Sequence, residues 1–141
     1  MVDRERAAQY LDGMDRLLRD WRELAEGSSA SKLKSDRAFS QRVCYVLLAT
    51  IQLALDLANL IIAERGLPRP NSYRESFEIL GQEGLLRDRR LAATLQELAG
   101  FRNLLAHQYI RLEWDKVQRN LKRGARAMSR FRAAAARWAR G

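Results

Sequence analysis

Apolar residues recur at spacings of three and four along most of this chain, the period that keeps one face of an α-helix aligned. From Asp3 to about Glu26 the stripe is Tyr10, Met14, Leu17, Trp21 and Leu24, widened by Leu11, Leu18 and Ala25, with charged residues opposite. Gly27-Ser28-Ser29-Ala30-Ser31 is expected to be a short flexible break. A second helix is expected from about Ser35 to Glu64. Pro68 and Pro70 end it, so Gly66 to Asn71 is a loop. Ser72-Tyr73-Arg74-Glu75 is a capping box that opens a short helix through Leu80. Gly81 to Gly84 is a turn, and Asp88 is the expected N-cap of a helix running to about His107. The last helix starts near Trp114. Its seam, Trp114, Val117, Leu121, Gly124, Met128, Phe131, Ala135 and Trp138, has the narrow three-and-four alternation of a bundle helix. These elements predict an all-α fold, an antiparallel bundle of about four long helices plus a short one, in a single domain over residues 1–141.

The pattern breaks in two places. Val43 to Ala63 is 21 residues with a single charge, Asp56, which is long enough to cross a bilayer. Gln52, Asp56 and Asn59 nevertheless line up as a polar stripe, and no basic loop asymmetry flanks the segment. A central core helix, or one buried in a subunit interface, is therefore expected. The second break lies in the seam Leu91, Leu95, Leu98, Arg102, Leu105, Tyr109, where an arginine occupies an apolar position. A buried arginine is costly unless it is paired or holds something anionic. Asp56 on the polar stripe is the candidate anion. Gly100, two residues before Arg102, suggests a close approach by another backbone or a bend just before Arg102.

Composition adds a single cysteine, Cys44, in an apolar run, which excludes an internal disulfide and reads as a buried, inert thiol. With one histidine, one cysteine and no clustered acids, a metal centre is not expected, and no cofactor is implied. The start of the chain shows no secretory signal pattern, so a cytoplasmic location is expected. The net charge of +9 is concentrated at the end: residues 111–140 hold ten basic residues against Glu113 and Asp115. Such a block suits a phosphate backbone or an acidic partner, and equally a solvated helix face.

His107, the only histidine, follows Arg102 by five residues. On an ideal helix that spacing rotates a side chain by about 140° net, so the two do not share a face. Either the helix ends or bends near Ala106, or a two-fold axis brings two such helices together.

Arg102-Asn103-x-x-x-His107-x-Tyr109 resembles the Arg-x4-His-x-Tyr motif of the HepT-type HEPN toxins, small all-helical ribonucleases paired with a minimal nucleotidyltransferase antitoxin. Glu64 to Pro70 followed by Ser72 to Phe77 resembles the family's loop and short helix, and Gly100-Phe101-Arg102-Asn103 resembles its motif entry. The likeness is good from about residue 40 to 120 and holds in pattern only at the ends. It implies a HEPN-like homodimer whose motifs face each other across a cleft. It also implies the toxin of a type VII-like toxin–antitoxin pair that cleaves RNA, with tRNA among the candidates. The fitting chemistry is metal-independent: the 2′-hydroxyl attacks the adjacent phosphodiester, His107 accepts its proton, and Arg102 holds the developing charge. Asn103 would position the phosphate or orient His107. The resemblance further implies that the antitoxin transfers AMP to Tyr109, blocking RNA by size and charge.

Two other readings remain open on the sequence. The chain is then a non-catalytic companion of a nucleotidyltransferase, with Arg102 gripping a nucleotide phosphate, or a basic adaptor whose last helix binds nucleic acid.

Overall fold

The computed structural model describes residues 3–107 and 109–140, with Tyr109 described only in its backbone. Six α-helices follow one another: α1 (Arg4–Glu26), α2 (Ala30–Ser35), α3 (Arg37–Glu64), α4 (Tyr73–Gln82), α5 (Arg89–His107) and α6 (Trp114–Ala139). A single 3-10 turn, Tyr109–Arg111, joins α5 to α6. Among the described residues there is no strand. The fold is thus all-α, with four long helices.

Local chemistry sets the helix ends. Asp3, Ser29, Asp36 and Ser72 each accept a hydrogen bond from the backbone N–H three residues on, the N-cap arrangement. At Ser72 the capping box is modified: Glu75 reaches back to the N–H of Asn71 at 3.2 Å. Gly66 and Gly84 close α3 and α4 with φ of 65° and 77°, a conformation that side-chain-bearing residues rarely adopt. In both turns an N–H reaches back five residues, Leu67 to Ile62 and Leu85 to Leu80.

The expected flexible break after α1 needs correction. Residues 27–29 do connect, but Ala30–Ser35 forms a helix of its own. Six residues are too few to show a period. What holds them is the Ser29 cap and Leu33, which is buried where α2 meets α3 and α6. Asp36 ends α2 and caps α3, so the chain turns without a loop.

Cross-helix pairs fix the topology. Asp15 meets Arg132 and Ala25 meets Lys122, so α1 and α6 are antiparallel. Asp88 meets Arg130 and Glu97 meets Arg123, so α5 and α6 are antiparallel too. α3 lies at the centre, packed against α1, α4, α5 and α6. By length and composition alone it is apolar enough to cross a membrane. Its aliphatic residues are instead buried on nearly every side, which is why the segment shows so little amphipathic period.

The tightest crossing lies at α6. A Cβ added to Gly124 would stand 2.6 Å from the Trp21 ring and 3.5 Å from Leu98, so α1, α5 and α6 converge on a residue without a side chain. Trp21 is fully buried and donates its indole N–H to the Leu121 carbonyl at 2.7 Å, which satisfies its polar atom inside the core.

Candidate active site

The centre of the site is Arg102, on the C-terminal half of α5. That helix is anchored at its start by Asp88, whose carboxylate accepts from the N–H groups of Arg90 and Leu91 at 2.8 and 3.2 Å. Leu91, Leu95, Leu98 and Leu105 are buried, and this seam turns Arg102 toward the polar stripe of α3. Arg102 Nε donates to Gln52 Oε1 at 2.8 Å. Gln52 Nε2 in turn donates to Asp56 Oδ1 at 2.9 Å. Among the described residues no ion pair joins Arg102 to Asp56; the glutamine relays between them.

Two further groups fix the guanidinium. Its central carbon lies 4.4 Å from the centroid of the Tyr73 ring, a cation–π contact worth about 0.5–1 kcal/mol or more as water is excluded. Nη1 donates to Asn103 Oδ1 at 3.3 Å. Nη2 makes no hydrogen bond among the described residues, which leaves one edge of the guanidinium for an anion. The geometry therefore combines an oriented cation with an open donor edge, as phosphate recognition requires.

The third member of the polar stripe, Asn59, accepts from the buried Ser76 hydroxyl at 2.8 Å and so ties α3 to α4. All three stripe residues thus have partners, as buried polar groups need. Tyr73 was not legible as a site residue. Its position as first residue of a capped helix was, and that placement beside α5 is what delivers the ring.

His107 is the last residue of α5 and is exposed. Arg102 and His107 stand about 140° apart around the helix, and no hydrogen bond joins them among the described residues. Tyr109 begins the 3-10 turn, and its side chain lies outside the described residues. The three motif positions therefore fall on the last turn and a half of α5 and the turn after it. Arg102, Asn103 and, through Gln52, Asp56 are assembled together, while His107 faces elsewhere.

Gly100 has a different neighbour from the one expected. The atom nearest to a Cβ added there is Arg74 Nη1, at 3.5 Å, so a guanidinium rather than a backbone lies over it. Cys44 is buried, and burial pushes its thiol up to about 11, so it is protonated at neutral pH and unsuited to nucleophilic attack. Among the described residues no cluster of three or more His, Cys, Asp or Glu could hold a metal ion.

A cleft of about 770 Å³ opens beside Arg102, between the end of α3, the loop after it and the start of α4, with Asn103 and Tyr73 on its wall.

The family model described as ribonuclease HepT-like matches residues 14–135. The mRNA nuclease HepT of Shewanella oneidensis is 32% identical over 87 residues, which make up 62% of this chain and 65% of that protein. The match thus spans just under two thirds of that relative's length. Among solved structures, the tri-AMPylated HEPN toxin of Shewanella oneidensis, in complex with an MNT antitoxin, superposes with a TM-score of 0.81. It is 24% identical, over 95% of this chain and 97% of that one. YutE, a cytosolic protein of unknown function from Bacillus subtilis, is 20% identical with a TM-score of 0.81, over 97% of this chain and 90% of that one. At these identities the structural likenesses establish the fold.

Proposed function

The chain belongs to the ribonuclease HepT-like family, and from that premise we propose that it is the toxin of a toxin–antitoxin pair, a metal-independent endoribonuclease silenced by AMP transfer to Tyr109. The observation that carries this reading is the preset Arg102 guanidinium, held by Gln52, Tyr73 and Asn103 with a free edge, on the same helix end as an exposed histidine. A cation fixed before substrate arrives stabilises a phosphorane without reorganising.

In the proposed reaction the 2′-hydroxyl of the substrate attacks the neighbouring phosphorus. His107 accepts the hydroxyl proton, Arg102 binds the non-bridging oxygens, and the 5′ oxygen leaves as its bond to phosphorus breaks, taking a proton from water. The products are a 2′,3′-cyclic phosphate and a 5′-hydroxyl end. Asn103 and Asp56 support Arg102, Asp56 through Gln52. The relative from Shewanella oneidensis is named an mRNA nuclease, which supports RNA as the substrate class and makes mRNA the first RNA to test.

Because Arg102 and His107 face apart on one helix, the site is completed by a second copy of the chain across a two-fold axis. Two exposed residues support such a surface. Ile110 is 99% exposed just past the motif helix. Tyr45 is 67% exposed and lies two turns before Gln52 on α3, at the level of the α5 C-terminus. Covering both side chains with a second copy would remove apolar surface from water, which favours association.

The partner in this reading is a cytoplasmic minimal nucleotidyltransferase. A solved relative, in complex with its antitoxin, is tri-AMPylated, and Tyr109 stands two residues past His107 in the sequence, which supports it as the acceptor. Expression of the chain alone is expected to arrest bacterial growth, and co-expression with the gene product encoded beside it to relieve the arrest. Intact mass then shows whole AMP units added to this chain, and Tyr109→Phe removes both the added mass and the relief. Growth arrest that is absent from the folded wild-type chain contradicts the toxin reading.

A further inference from the structure

The large cleft beside Arg102 plays no part in the chemistry above. Its walls are aliphatic, with Ile62 and Ala63 from the end of α3 and Leu67 from the loop, and its rim is amide and hydroxyl. No carboxylate lines it, and its one cation, Arg69, forms no ion pair among the described residues. Two of the rim amides are half used. Asn59 receives the Ser76 hydroxyl on its oxygen, and Asn103 receives Arg102 on its oxygen, so each keeps an NH₂ group unpaired among the described residues. Asn71, exposed on the loop, makes no side-chain hydrogen bond among the described residues.

A cavity of this size with apolar walls and a few convergent polar groups has the character of a small-molecule site. The free amide donors and absent acids fit a flat, acceptor-rich ring attached to phosphate. Asn103 belongs to the cleft wall and to the guanidinium at once, so a ring in the cleft is next to a phosphate at Arg102. We propose that this cleft receives one unpaired nucleobase of the RNA substrate, flanking the phosphate held by Arg102, and thereby selects where the chain is cut. The inference rests on the ribonuclease reading. It also favours a substrate that is single-stranded at this nucleotide, because a paired base enters only after unstacking and unpairing, which costs a few kcal/mol.

The test uses the wild-type chain and short single-stranded RNA oligomers carrying 2′-fluoro groups, which bind but lack the attacking hydroxyl. One abasic nucleotide is walked along the oligomer, and Kd is measured at each position. One position is expected to cost about tenfold, the range of a single buried base. That penalty should shrink to about twofold or less in Ala63→Trp, which fills the cleft from an exposed position, and in Asn71→Ala, which removes a loop amide. A flat profile overturns the cleft, as does a penalty unchanged in both variants. Loss of affinity in Arg102→Ala alongside a flat profile overturns the cleft alone. RNA that does not bind at all overturns the cleft and the ribonuclease reading together.

Discussion

Arg102 stood out in the sequence because it interrupts an apolar seam, and the structure gives the physical reason it is tolerated. Its charge is never left alone: Gln52, the Tyr73 ring and Asn103 surround it while an edge stays open. The expectation of a polar stripe facing the motif helix came from spacing on α3 and holds for Gln52, the nearest member. Which stripe residue touches the arginine was not legible, because a one-turn shift in helix register exchanges Gln52 for Asp56. Tyr73 was hidden for a related reason, since nothing in a local pattern reports which rings meet across two helices. If Tyr73 positions Arg102, Tyr73→Leu lowers kcat/KM for RNA by about tenfold, the upper range of a cation–π contact. Tyr73→Phe keeps the ring and should restore most of that loss. Equal losses in the two variants would mean that the ring does not act on Arg102.

The helices carry signals of unequal strength. Long elements are legible to within a few residues, because each spans many turns and α1, α3 and α5 begin at a side-chain cap. α2 was missed because its six residues offer one buried side chain, Leu33, and no period. Glycine within helices was the least legible feature, and two of them differ sharply. At Gly124 a Cβ would meet the rigid Trp21 ring at 2.6 Å, whereas at Gly13 it would meet only the end of Leu53 at 2.9 Å. Gly124→Ala is therefore expected to destabilise the fold by about 1–3 kcal/mol in denaturant melts. Gly13→Ala should fall within about 1 kcal/mol of neutral, since the gain in helix propensity offsets the rotation of Leu53. Asp88 supplies a pH test. The Arg130 side chain first, and then the Leu91 N–H, hold its carboxyl below its ordinary value of 3.8. A depressed carboxyl contributes stability above that unfolded value, and the contribution is lost as pH falls through the lower folded value. Asp88→Asn should thus melt at a lower temperature than the parent at pH 7, and the difference should close as the pH falls below about 4.

The molecule as a whole places its charge differently from what the arginine-rich end suggests. Arg123, Arg130 and Arg132 of α6 pair with Glu97 of α5, Asp88 just before it and Asp15 of α1, so three of the ten basic residues in this stretch tie the bundle together. These pairs interrupt the basic face of α6 and weigh against it as a continuous nucleic-acid track. The all-α class could be read from period, and the central helix from its long apolar run and the polar stripe within it. Exposed apolar residues such as Tyr45 and Ile110 could not, because they follow no period. The most direct measurement is cleavage of labelled single-stranded RNA by the purified chain in excess EDTA, with the product ends identified. The wild-type chain should cut and leave 2′,3′-cyclic phosphate and 5′-hydroxyl ends, and folded Arg102→Ala and His107→Ala should each cut at least about a hundredfold more slowly. Cleavage that depends on an added divalent metal, or that survives in both folded variants, would contradict the assignment of Arg102 and His107 as the catalytic pair.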